Sequence, residues 1–161
     1  MRKVLAVTSA TLLPAIAIAA ACSDSPIAAP LPTFDAAMNG ANERPNPVTT
    51  NATGTVTIVK DGPTYTYTIT YTGLSSAPTG AHIHGPGGTS AAAGVLVPFA
   101  TTGAPAGSGT LTGTFTAATI LASRGVSGDS LDALLRSGNA YANVHSTSNP
   151  GGEIRGQLTM R

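Results

Sequence analysis

Apolar and polar residues alternate strictly along much of this chain, which is the periodicity of strands with one buried and one solvated face. The clearest case is the segment 65–72, in which tyrosine or isoleucine alternates with threonine. A similar alternation runs through 55–59, and Gly62 and Pro63 between the two segments mark a turn. The two segments therefore predict a β-hairpin.

The same pattern predicts further strands and one helix. Short strand-like segments bounded by turn residues lie at 33–39, 81–84, 95–99, 110–116, 140–146 and 153–159. Leu131, Leu134 and Leu135 share one helical face instead, which predicts one short helix near 130–137, and 117–123 adds a further turn. We expect an all-β fold: a single antiparallel, Greek-key-like β-sandwich or small barrel.

The amino terminus has the pattern of an export signal. Arg2 and Lys3 precede an apolar run that ends in three alanines directly before Cys22. Ala-Ala-Ala-Cys in this position is similar to a bacterial lipoprotein signal, in which the cysteine is lipidated. Ordinary signal-peptide cleavage is the alternative, and it would leave Cys22 as a free thiol in an oxidising compartment.

This pattern divides the chain into three parts. We predict a lipoprotein-type signal peptide at 1–21, a proline-rich tether at 22–32 and one domain at 33–161. The expected location is the cell envelope, on the periplasmic or the cell-surface face, with the lipid on Cys22 holding the protein to a membrane. A chain that is not lipidated would be secreted.

Composition narrows the classes of partner. Only 9% of residues are charged, and the eight cations are scattered, so the sequence lacks the basic patch that a nucleic-acid-binding protein needs. Removal of Arg2 and Lys3 with the signal leaves six cations against seven acids, a formal charge of −1. We expect the membrane and an unidentified protein or envelope component as partners, and no nucleic acid.

The three histidines form the clearest group of candidate functional residues in the sequence. His82 and His84 lie two apart in a predicted strand, so both imidazoles project from one face. His145 lies in another predicted strand, on the same face as Asn143. Three imidazoles from two strands are a suitable ligand set for one copper or zinc ion. The alternative is that these rings pack in the sheet as hydrogen-bonded polar side chains.

Charged residues near the second histidine motif could support such a site. Glu153 and Arg155 alternate with Ile154, and pairing of 153–159 with 140–146 would bring Glu153 near His145. Glu153, Arg155 and Asn143 would then hydrogen-bond and orient the ligand histidines. The alternative is a structural ion pair or hydrogen-bond network between Glu153 and Arg155. The same two interpretations apply to Glu43.

Catalytic motifs are absent from the sequence. It contains no Gly-x-Ser-x-Gly nucleophile elbow, and its one cysteine, Cys22, belongs to the export signal. The Gly-rich segment 85–88 contains a proline and lacks the Lys-Ser/Thr pair of a phosphate-binding loop. We therefore predict no catalytic residues.

Three motifs in order resemble the CHRD family, which is named for chordin. They are Ala-His-Ile-His-Gly-Pro at 81–86, Ala-Tyr-Ala-Asn-Val-His-Ser at 140–146 and Gly-Gly-Glu-Ile-Arg-Gly-Gln-Leu at 151–158. The resemblance implies a single antiparallel β-domain, here the predicted domain at 33–161. It implies no reaction, because the family as a whole has none established.

Two functions follow from these observations. The first is an exported, lipid-anchored CHRD-domain protein with a non-enzymatic binding or envelope-structural role. The second is a mononuclear copper or zinc protein, a carrier or an oxidase-like enzyme, that uses His82, His84 and His145.

Overall fold

The structure, a computed structural model, describes residues 28–161. The predicted signal peptide at 1–21, Cys22 and the first part of the tether lie outside the described residues. Within residues 28–161, no helix is long and apolar enough to cross a membrane.

The described chain forms one nearly closed, barrel-like antiparallel sheet with two short helices, which confirms the predicted all-β fold. The helices are α1 (Ala117–Arg124) and α2 (Gly128–Arg136). The strands, in chain order, are β1 (Thr33–Asn39), β2 (Thr53–Asp61), β3 (Thr64–Leu74), β4 (Pro78–His84), β5 (Val95–Phe99), β6 (Gly107–Thr116), β7 (Tyr141–Ser146), β8 (Ile154–Gln157) and β9 (Thr159–Met160).

Strand order in the sheet brings distant segments of the chain together. The order is β5-β4-β7-β8-β1-β2-β3-β6, with β9 paired to β1. The predicted hairpin is confirmed as β2–β3, and the segment predicted as one strand at 153–159 is divided into β8 and β9. The pairing that matters most for the site is β4 with β7, because these two strands carry all three histidines.

The helical region is larger than the sequence predicted. The helix expected near 130–137 is α2, which begins at Gly128 because the Ser127 side chain accepts from the Ser130 amide. The segment 117–123, expected as a turn, is part of the full helix α1, and a capping box of Thr116 and Thr119 begins it.

The alternation in β3 builds the core. Tyr65, Tyr67, Ile69 and Tyr71 are all at most 4% exposed, while the threonines between them lie on the outer face. Tyr65 stacks on Phe115 of β6 with ring centroids 4.8 Å apart and ring planes 5° apart. Stacked aromatic rings add to the area that each side chain buries.

Two tyrosine hydroxyls hold the segment that joins β5 to β6. The Ala100 amide donates to the Tyr67 hydroxyl at 3.1 Å, and the Tyr71 hydroxyl donates to the Pro105 carbonyl at 2.8 Å. These bonds satisfy the polar ends of buried rings and fasten the chain between the two end strands of the sheet.

The tyrosine rings need glycine opposite them in β6. A Cβ at Gly113 would lie 2.5 Å from the Tyr67 hydroxyl oxygen and 2.8 Å from its Cζ atom. We predict that Gly113→Ala displaces Tyr67 and lowers the free energy of unfolding by about 1–3 kcal/mol. Urea unfolding measures the change.

The matched control is Gly94→Ala, where a new Cβ meets nothing within 4 Å. We expect its effect on the free energy of unfolding to be close to zero. An equal effect of both substitutions would contradict the packing argument.

Candidate metal centre

The register of β4 and β7 assembles the histidine cluster. His82 lies opposite Asn143, and Gly80 lies opposite His145. Ala81 and Ile83 are fully buried in the core, so the alternating His82 and His84 lie on the outer face of the barrel. One candidate ligand atom from each of His82, His84 and His145 lies within 4.8 Å of the others. The structure therefore brings together the three histidines that the sequence grouped.

Gly80 gives the cluster its space. A Cβ at Gly80 would lie 3.0 Å from His82 Cε1 and 3.7 Å from His145 Cδ2. A larger residue would press on both rings. The sequence contained a signal for this role, since Gly80 lies two residues before His82 and so on the same face of β4.

Backbone carbonyls fix the protonation of two rings. His84 Nδ1 lies 2.9 Å from the Ala93 carbonyl, and His145 Nδ1 lies 2.9 Å from the Pro150 carbonyl. Because a carbonyl only accepts, both Nδ1 atoms carry the proton and donate it. A neutral ring then has its lone pair on Nε2, which is the usual arrangement of a metal-binding histidine.

The remaining nitrogens complete the network. His82 Nδ1 lies 3.0 Å from His145 Nε2 and donates to it, because His145 Nδ1 already holds that ring's proton. His84 Nε2 lies 3.0 Å from Asn143 Oδ1. Asn143 is thus the one predicted supporting residue whose side chain contacts a histidine of the cluster.

Burial favours the neutral form of His82 and His84. Desolvation, with a smaller effect from the neighbouring His145 and His84, lowers the pKa of His82 to about 4. Burial also lowers the pKa of His84, although its hydrogen bond to Ala93 opposes the shift. Neutral imidazoles are the form that binds metal ions.

Arg155 acts on the cluster only indirectly. Its guanidinium carbon lies 3.4 Å from the centroid of the Tyr141 ring, and that ring stacks on His84 at 4.9 Å. Arg155 Nη2 also donates to the carbonyls of Gly88 and Ala91. These bonds fasten the loop between β4 and β5, whose Ala93 carbonyl orients His84.

Glu153 lies elsewhere in the structure. Its buried carboxylate accepts hydrogen bonds from the Thr50, Ser75 and Ser146 hydroxyls and from the Ser75 amide. Burial opposes ionisation, but these donors outweigh it and lower the pKa of Glu153. Among the described residues, Glu153 makes no hydrogen bond to a histidine and no ion pair with Arg155. Its hydrogen bonds join the segments that carry Thr50, Ser75 and Ser146.

Glu43, whose role the sequence left open, is a buried acid close to Asn143 and Arg155. Its side chain is 3% exposed, and burial raises its pKa to about 7 although Arg155 and Asn143 oppose the rise. Only its spatial neighbours show that Glu43 lies near the cluster, because it is distant in sequence from every histidine.

A comparison with protein families identifies the fold that carries this cluster. The model of the CHRD domain matches residues 34–158, which include both histidine strands. The chain belongs to the CHRD family. The resemblance drawn from the sequence motifs is thereby confirmed. No curated protein matches the chain.

The raised pKa of Glu43 predicts a pH dependence of the CHRD domain's stability. The unfolded carboxyl loses its proton near pH 4.5 and the folded one near pH 7, so the folded state binds more protons between these values. Glu43 therefore stabilises the fold fully below pH 4.5, and this contribution is lost as pH rises to about 7. Relative to Glu43→Gln, the wild type should lose stability over this window.

Urea unfolding of both chains at several pH values measures the difference. The shift of His82 has the opposite sign, because its lowered pKa adds stability as pH rises from about 4 to 6.5. This effect cancels in the comparison, since both chains retain His82. A difference that does not vary with pH would show that Glu43 is not held protonated.

Proposed function

We propose that this CHRD protein is exported, anchored to a membrane by lipid on Cys22, and binds one copper or zinc ion through His82, His84 and His145. The observation that supports the metal site is the convergence of three imidazoles, with candidate ligand nitrogens within 4.8 Å of one another. Two of the three rings are oriented by backbone carbonyls that leave Nε2 available.

The spacing needs little adjustment to accept an ion. Bonds of about 2.0–2.1 Å in a tetrahedral zinc site place the ligand nitrogens about 3.3 Å apart. His82 Nδ1 and His145 Nε2 are 3.0 Å apart, so a small opening of this pair makes room between them. An ion bound at His82 Nδ1 requires the proton of that neutral ring to lie on Nε2 instead, so the ring changes tautomer when the ion binds.

The surroundings favour binding over catalysis. Glu153 accepts hydrogen bonds from hydroxyl and amide donors, and Arg155 donates to loop carbonyls. Neither side chain therefore serves as an acid or base at the cluster. His82 and His145 are only partly buried, which gives an ion a path to solvent. A carrier or storage role at the cell envelope fits these features.

Metal content tests the site directly. We predict that protein purified from its native compartment carries up to one copper or zinc ion per chain, and that His84→Ala loses most of it because one of three ligands is gone. Elemental analysis by mass spectrometry measures the ratio. Thr79→Ala, an exposed position on the same strand, is the matched control and should retain the metal. Equal metal content in wild type and His84→Ala would disprove the site.

Lipid labelling tests the anchor separately. Radiolabelled palmitate should enter the wild-type protein but not Cys22→Ser, because the cysteine thiol is the acceptor of the lipid. Gel autoradiography of cells expressing each chain reads out the label. Label in both chains, or in neither, would contradict the lipoprotein assignment while leaving the metal site untouched.

A further inference from the structure

Two lone pairs face each other inside the cluster. His84 donates its Nδ1 proton to Ala93, so Nε2 of the neutral ring is an acceptor. The atom 3.0 Å away is Asn143 Oδ1, which is also an acceptor.

The Asn143 amide is held in this orientation from its other side. Its Nδ2 atom lies beside the Glu43 carboxyl, and both crowd the same face of Gly152, where a Cβ would lie 2.5 Å from Glu43 Oε1 and 2.9 Å from Asn143 Nδ2. Glu43 Oε1 is buried and makes no hydrogen bond among the described residues. Nδ2 is directed to the side of Glu43 and Gly152, which leaves Asn143 Oδ1 directed at His84.

A cation between the two atoms removes the conflict. Zinc bonds to nitrogen and oxygen are both about 2.0–2.2 Å, which places a nitrogen and an oxygen ligand about 3.3 Å apart in a tetrahedral site. The observed 3.0 Å separation of His84 Nε2 and Asn143 Oδ1 is close to this value. The pair therefore has the spacing of two adjacent ligands.

We infer that Asn143 Oδ1 is the fourth ligand of the metal site, positioned by Glu43, and that the resulting three-nitrogen, one-oxygen set selects Zn²⁺ or Cu²⁺ over Cu⁺. The inference rests on the proposed metal function and deepens it. An amide oxygen is a hard donor that suits a divalent ion, whereas Cu⁺ prefers sulfur and imidazole ligands. Three histidines alone would not discriminate in this way.

The test compares Asn143→Ala with wild type in the full chain, using Zn²⁺, Co²⁺ and Cu⁺ alone as probes. Asn143→Ala should bind Zn²⁺ at least ~10-fold more weakly, while its Cu⁺ affinity stays unchanged. The visible absorption of bound Co²⁺ should change, because an oxygen ligand is replaced by water or lost. Asn149→Ala, in the nearby loop after β7, is the control and should match wild type.

Two conservative substitutions test the inference in case Asn143→Ala does not fold. Asn143→Asp keeps an oxygen at the same place, so Zn²⁺ affinity should be retained and the Co²⁺ spectrum should shift. Glu43→Gln, which keeps a side chain of the same size and an oxygen beside Asn143, should retain Zn²⁺ affinity, whereas Glu43→Ala should lower it. Circular dichroism establishes that each chain is folded.

The outcomes separate this inference from the proposed function. If His84→Ala loses Zn²⁺ while folded Asn143→Ala keeps wild-type affinity and an unchanged Co²⁺ spectrum, the metal site stands and the oxygen ligand is disproved. If Asn143→Ala does not fold, an unchanged Co²⁺ spectrum in Asn143→Asp disproves it instead. If wild type binds none of these three ions and no Cu²⁺, the proposed metal function itself fails.

Discussion

The register between β4 and β7 is the constraint on which the site depends. Ala81 and Val144 face each other in the core, and this pairing sets His82 opposite Asn143 on the outer face. A slip of one residue would expose the apolar side chains and bury the imidazoles, at a large cost in hydrophobic free energy. The buried pair Ala81 and Val144 thus fixes the positions of the histidines, although neither residue is a candidate metal ligand.

Loops at the strand ends orient the imidazole rings, which is the second requirement of the site. The Ala93 carbonyl comes from the loop between β4 and β5, and the Pro150 carbonyl from the loop after β7. Each loop is fastened by a buried charged residue of the third CHRD motif, Arg155 for the first and Glu153 for the second. These two residues therefore matter to the cluster through the backbone that they hold.

Local periodicity predicted the strands and the shared face of His82 and His84, because both depend only on side-chain alternation. The sequence could not supply the register of β4 against β7, which joins segments about 60 residues apart and depends on the whole core. Side-chain alternation did not predict the surroundings of Glu153. Gly152 has a φ of +122° and the regular strand begins only at Ile154, so Glu153 is not part of the alternating strand. The role of Glu43 stayed open at the level of sequence, because tertiary packing alone brings it to Asn143.

The histidines lie on the outside of a barrel whose closure relies on tyrosines, glycines and aliphatic residues of other strands. Replacing them would remove few core contacts, so the same architecture can gain or lose an ion-binding surface through a handful of substitutions. Evolution can therefore change the chemistry of this domain without rebuilding it. Relatives with the same barrel can therefore differ in the ion that this outer surface binds.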